Sequence, residues 1–221
     1  MKKIEIKKLS VTAMLTATAF LVTFLTSMFK VGGFLSLDLK DAVISVVSLL
    51  YGPIYGLASV LTVSLVEFIT ISTTGIYGLV MNILSSGTFA LTCGLIYKYR
   101  RNFTGAVLAS GVTVVTVTSV MLIANIFITP LYFQMPRQAV LDMLPTLLLP
   151  FNLFKSVMNA SITLLVYKPF TTALRKARLV SGVENANYKF GVRSVVLLII
   201  SLLLLACAVC VMLLLGIDIQ K

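Results

Sequence analysis

Leu147–Pro169, LLLPFNLFKSVMNASITLLVYKP, has the length and apolarity of a membrane-spanning helix, yet it carries Asn152, Lys155 and Asn159. A helix crossing a hydrocarbon layer of ~30 Å needs roughly twenty mostly apolar residues. An ionisable group at that depth costs roughly 3 kcal/mol on insertion scales, so it normally faces a partner or a water-filled cavity. The spacing i, i+3, i+7 puts the three side chains on one stripe, where they can act on one object.

The rest of the chain has the same character. Of its 221 residues 59% are hydrophobic and 11% charged, with no His and no Trp, and the mean hydropathy is +1.06. No soluble core needs that much apolar material, and apolar stretches of spanning length recur from end to end. An all-α integral membrane protein is therefore predicted. The net charge of +11 does not indicate nucleic acid, because the basic residues lie between spans and are not interleaved with aromatics on one soluble face.

The first span, LSVTAMLTATAFLVTFLTSMF (Leu9–Phe29), follows MKKIEIKK and has no small-x-small cleavage site at its end, so it is retained as a helix. KVGGFLSLDLKD then reads as an extended loop at the membrane surface. Asp41 is placed to cap a second helix to Leu50, and YGPIYG makes a tight hairpin into a third, Ile54–Ile71. A fourth helix covers Leu79–Tyr97, a fifth Thr104–Ile128 ahead of Pro130, and a polar connection with room for a short surface helix leads to the sixth, the opening stretch. The expected division is residues 1–179 as a six-helix membrane domain, 180–193 as a charged linker, and 194–221 as a seventh transmembrane helix (Ser194–Leu215) with its tail.

Cytoplasmic loops carry the Lys and Arg excess. With the N-terminus inside, thirteen of the 18 basic residues fall on the cytoplasmic side, in the groups Lys2–Lys8, Lys98–Arg101, Lys168–Arg178 and Lys189–Arg193. Only Lys30, Lys40, Arg137 and Lys221 fall outside, with Lys155 in the bilayer. The chain is accordingly expected in a bacterial plasma membrane with a cytoplasmic N-terminus.

Two readings of the polar stripe stand side by side. In one, Lys155 pairs with Glu67, the only acid well inside a span, and the asparagines clamp neighbouring helices. In the other, the stripe lines a ligand pocket open to the exterior, joined by Asn125 near the outer end of the fifth helix and by Asn82 in the fourth. Phe34, Tyr77, Phe127, Tyr132 and Phe133 could sandwich a flat ligand or simply anchor the interface. Amides pair donors with acceptors and a Lys supplies three donors, which suits a largely neutral, flat molecule edged with carbonyls and ring nitrogens. A proton-coupled carrier would show several buried acids or histidines. Of the three cysteines, Cys93, Cys207 and Cys210, the last two form a C-x-x-C in a very apolar run, where small lipid-facing side chains are the better reading than redox or metal chemistry. No phosphate-binding G-x-x-x-x-G-K-[ST] loop occurs, so any ATP-driven role needs a separate motor. Ala13 and Ala17, with Ser10 a turn earlier, form a small-xxx-small face on which another helix could dock.

The ordered set LDLKDAVISVVSLLYGPIYG, MNILSSGTFALTCGLIYKYRR, ANIFITPLYFQMPR and LLPFNLFKSVMNASITLLVYKP resembles the riboflavin-specific substrate-binding (S) components of energy-coupling factor (ECF) transporters, over about Lys8–Leu179. The L-D-L-x-D loop and G-P-x-x-G hairpin are general to S components, whereas N-x-x-I-T-P-x-Y and P-F-N-L-x-K belong to the riboflavin branch. The resemblance implies a six-helix bundle that binds extracellular riboflavin without chemistry, cofactor or metal. It further implies delivery through a transmembrane coupling protein (T component) and two ATPases. It assigns flavin contact to Asn125, Asn152 and Lys155, a covering loop to Leu37–Asp41 (Leu37 and Asp38 foremost), and partner docking to Ala13 and Ala17. Asn82, Asn159 and Tyr132 complete the candidate set. An S component for another vitamin and a self-sufficient secondary carrier remain alternatives, and the seventh helix departs from the six-span pattern.

Overall fold

The computed structural model describes residues 2–27, 30–31, 35–36 and 38–176. Leu37, Phe34, the 180–193 linker, Cys207, Cys210 and the expected helix 194–215 lie outside the described residues. Those described are predominantly helical: α1 (Lys2–Thr26), α2 (Lys40–Tyr51), α3 (Pro53–Thr70), α4 (Gly75–Tyr99), α5 (Phe103–Phe133), α6 (Arg137–Met143) and α7 (Leu149–Lys176). Between α1 and α2 the expected extended loop is a minimal antiparallel hairpin, β1 (Lys30–Val31) on β2 (Leu35–Ser36).

Among the described residues, five helical stretches are long and apolar enough to cross a membrane: Ile6–Thr26, Pro53–Thr70, Gly75–Tyr99, Phe103–Phe133 and Arg137–Thr172. The second expected span is different. With 12 residues, α2 rises only ~18 Å, and nine of its residues are buried. It is a short helix wrapped by α1, α3, α4 and α7. Its start also differs from expectation: Leu39 is the N-cap residue, with no side-chain cap, and the Asp41 carboxylate instead accepts from Ser86 Oγ on α4 at 2.5 Å.

The α2–α3 turn follows from its glycine and proline. Gly52 sits at φ 100°, which other residues avoid, and Pro53 opens α3 where no helical N–H is needed. Packing around this turn is close: a Cβ on Gly94 would come to 3.1 Å from the Pro53 backbone. In lipid there is little hydrophobic force between helices, so small residues that let backbones approach do the packing. Ser86, Ala90 and Gly94 on α4, and Ala106, Ala109 and Thr113 on α5, form such buried stripes.

The expectation that the fifth helix stops before Pro130 is corrected. Proline removes one donor without forcing termination, and α5 runs another turn to Phe133. It ends at Gln134, left-handed at φ 52°, where the Pro130 carbonyl accepts the Gln134 and Met135 N–H groups. The connection contains the anticipated short helix, α6, then a widened π-helical turn, Leu144–Leu148, that feeds α7. Met143, Leu147, Leu148 and Phe151 pack there with Leu35 of the hairpin.

Candidate functional site

The hairpin delivers Asp38 to the start of α2, and a chain of charge-assisted bonds begins there. Asp38 Oδ2 accepts from Lys155 Nζ at 2.9 Å and lies 3.6 Å from Lys40 Nζ. Lys40 donates to Glu67 Oε2 at 2.6 Å, and Glu67 Oε1 accepts from Asn82 Nδ2 at 2.8 Å. Burial by itself would raise the Asp38 pKa, but the Lys155 and Lys40 ammonium groups outweigh it and hold the carboxyl below the usual range. The pairing of Lys155 with Glu67 considered from sequence does not occur. Lys40 is the ammonium that Glu67 takes, and Lys40 is completely buried although its position suggested an exterior loop charge.

Beside this chain lies a cavity of about 420 Å³, lined by residues that include Glu67, Asn82, Asn125, Asn152 and Lys155. That volume falls in the range of small-molecule sites. Lys155 lines this cavity and its side chain, though paired with Asp38, retains 12% exposure. Asn125 sits one turn above Met121, whose carbonyl its Nδ2 bonds at 2.7 Å, and its Oδ1 accepts from Thr129 Oγ1 at 2.8 Å. Asn152 Nδ2 likewise donates to the Leu148 carbonyl of the π-helical turn at 2.8 Å. These bonds aim both amides and occupy only part of their capacity. Tyr77 and Tyr132 complete an aromatic wall, edge to face with centroids 6.0 Å apart. Phe127 and Phe133 do not line the cavity; Phe127 is 57% exposed and carries the Arg137 guanidinium over its ring at 4.9 Å.

Two expected site residues have other roles in this geometry. Asn159 shares the stripe with Lys155 but is absent from the cavity wall. Its Oδ1 accepts the Ala42 N–H at 2.9 Å and its Nδ2 donates to the Asp38 carbonyl at 3.0 Å, so it straps α7 to the hairpin–α2 junction. The Asp38 carboxylate is 1% exposed and is absent from the cavity wall, which it meets through Lys155 and, by way of Lys40, through Glu67. Sequence reasoning missed Lys40 altogether and treated Glu67 only as a possible lysine partner. The available signal was the alternation of acid and base in Asp38, Lys40 and Asp41, too many charges for an apolar segment to expose to lipid. Ala13 and Ala17 are exposed on α1, away from the cavity.

The family model for the ECF transporter substrate-specific component matches residues 7–167. A curated relative, the riboflavin transporter RibU of Staphylococcus aureus (strain TCH60), is 26% identical; the match covers 77% of this chain and 93% of the relative. A solved structure described as the S component of a bacterial ECF transporter superposes with a TM-score of 0.66 at 25% identity, over 77% of this chain and 99% of that one.

Proposed function

This chain belongs to the substrate-specific components of ECF transporters, and from that premise we propose that it captures riboflavin from outside the cell for import driven by partner ATPases. The carrying observation is the cavity itself. Its lining includes Asn125, Asn152 and Lys155 from α5 and α7 together with the Tyr77 and Tyr132 rings. An isoalloxazine ring has the matching chemistry: a flat apolar body for the rings and an edge of carbonyls and nitrogens for the amides and ammonium. The S. aureus relative is named for riboflavin transport, which supports the same choice over another vitamin.

In this reading the N-terminus is cytoplasmic, and the β1–β2 hairpin and the cavity mouth face the medium. No catalytic step is assigned. A T component docks on α1, where Ala13 and Ala17 leave an exposed, low-relief face among lipid-facing side chains such as Met14 and Leu21. Two ATPase subunits supply the energy.

The test is the absorption spectrum of the full chain purified in detergent from riboflavin-fed cells. Bound flavin gives a yellow protein with visible-blue absorbance, and added riboflavin loses fluorescence on binding. A colourless protein that leaves riboflavin fluorescence untouched overturns the proposal. Uptake by ATP-free vesicles under an ion gradient alone would identify a secondary carrier instead.

A further inference from the structure

The α3 and α4 side of the cavity has a fixed hydrogen-bonding sense. On the α5 and α7 side the groups are mixed: Lys155 is donor-only, the Asn125 carbonyl is already engaged by Thr129, leaving an amide N–H as its best free valence, and Asn152, whose Nδ2 donates to the Leu148 carbonyl, keeps its own carbonyl free to accept. On the α3 and α4 side stand Glu67 and Asn82. The Glu67 carboxylate is held by the buried Lys40 ammonium at 2.6 Å, and an ionised carboxylate only accepts. Asn82 therefore must turn its NH₂ toward Glu67, as the 2.8 Å bond shows, and offer its carbonyl oxygen to the cavity. The orientation follows from donor and acceptor chemistry and does not depend on distinguishing amide N from O.

We propose that Glu67 is a specificity-determining positioning residue: by locking the Asn82 amide it makes the α3/α4 wall a hydrogen-bond acceptor for an N–H or O–H group of the ligand. The inference rests on the riboflavin reading, since riboflavin carries such donors in two places, the ring imide and the polyhydroxyl chain. An analogue lacking the donor leaves the Asn82 carbonyl desolvated and unpaired.

Glu67→Gln is the informative change because it is isosteric. Lys40 claims the new amide's oxygen, the new NH₂ then faces Asn82, and the Asn82 amide inverts so that the wall becomes a donor. Full-length wild type, Glu67→Gln and Asn82→Ala are titrated by flavin-fluorescence quenching. The ligands are riboflavin, lumiflavin (no hydroxyl chain) and 3-methylriboflavin (no imide N–H). Wild type should prefer riboflavin over the analogue that lacks the recognised donor, and both variants should lose about tenfold of that preference. The analogue whose penalty disappears identifies the donor as imide or hydroxyl. Unchanged preferences among the three ligands in Asn82→Ala overturn the proposal, and that variant decides the matter if Glu67→Gln fails to fold. A wild type that binds none of the three sinks the riboflavin reading and this inference with it. A wild type that binds riboflavin, with variants that keep its preferences, sinks this inference alone.

Discussion

The hairpin end of the bundle and the end holding the α2–α3 and α4–α5 turns are built on opposite plans. At the hairpin end Asp38, Lys40, Asp41 and Glu67 are buried together with Asn125, Asn152 and Asn159, around an open cavity. At the other end the core is Leu49, Phe89, Cys93, Ala106 and Ala109, closed by the hydrogen-bonded Tyr97 and Tyr167 hydroxyls. Most polar side chains there are serines and threonines, several of which bond back to their own helix, as Thr113 does to Ala109 O. A buried ion pair is a poor route to stability, because desolvation offsets most of the attraction. Buried charges gathered at one end and kept from the core of the other therefore separate a candidate binding end from the end that holds the scaffold.

The contrast can be broken most forcefully at Lys40. Replacing it with Met leaves Glu67 and Asp38 short of their common cation, and breaking a buried pair from one side costs about 3–5 kcal/mol. Lys40→Met should unfold at markedly lower temperature in detergent, as read by a thermal-shift assay. Lys155→Ala comes next. It removes a cavity donor and leaves Asp38 with one cation, so riboflavin affinity should fall by about five- to a hundredfold in a fluorescence titration. Unchanged affinity with intact folding would take Lys155 out of the site.

The remaining tests sharpen the scaffold side. A Cβ on Gly56 would overlap Ser48 Oγ and press on Ala90. Gly56→Ala should cost about 1–3 kcal/mol of stability by overpacking while leaving the riboflavin dissociation constant where it was. Tyr167→Phe is expected to have the smallest effect: about 1 kcal/mol for one lost hydrogen bond, seen in the thermal midpoint and absent from the binding titration. A large affinity loss in either variant would mean that the two ends are coupled more tightly than their construction suggests.

The limits of sequence reading fall along the same division. Asn125, Asn152 and Lys155 could be nominated because polar groups in apolar runs are conspicuous and helical spacing assigns them a face. Asn159 stood out equally and proved to be a strap, since a stripe on one helix says nothing about which neighbour each residue meets. Lys40 was misplaced because α2 was expected to be a spanning helix with its charges at the surface. The continuation of α5 past Pro130 was missed because a proline's cost is local, and capping at Gln134 together with packing around the helix end offsets it.

What the chain decides by itself is whatever depends on neighbours in sequence: hydropathy long enough for a bilayer, the Gly52–Pro53 turn, the i, i+3, i+7 stripe. What only tertiary structure decided is the long-range partner of each buried lysine. Lys155 meets Asp38 across 117 positions and Lys40 meets Glu67 across 27. Coulomb attraction in a low-dielectric core depends on the distance between charges after packing, and no local pattern encodes that distance.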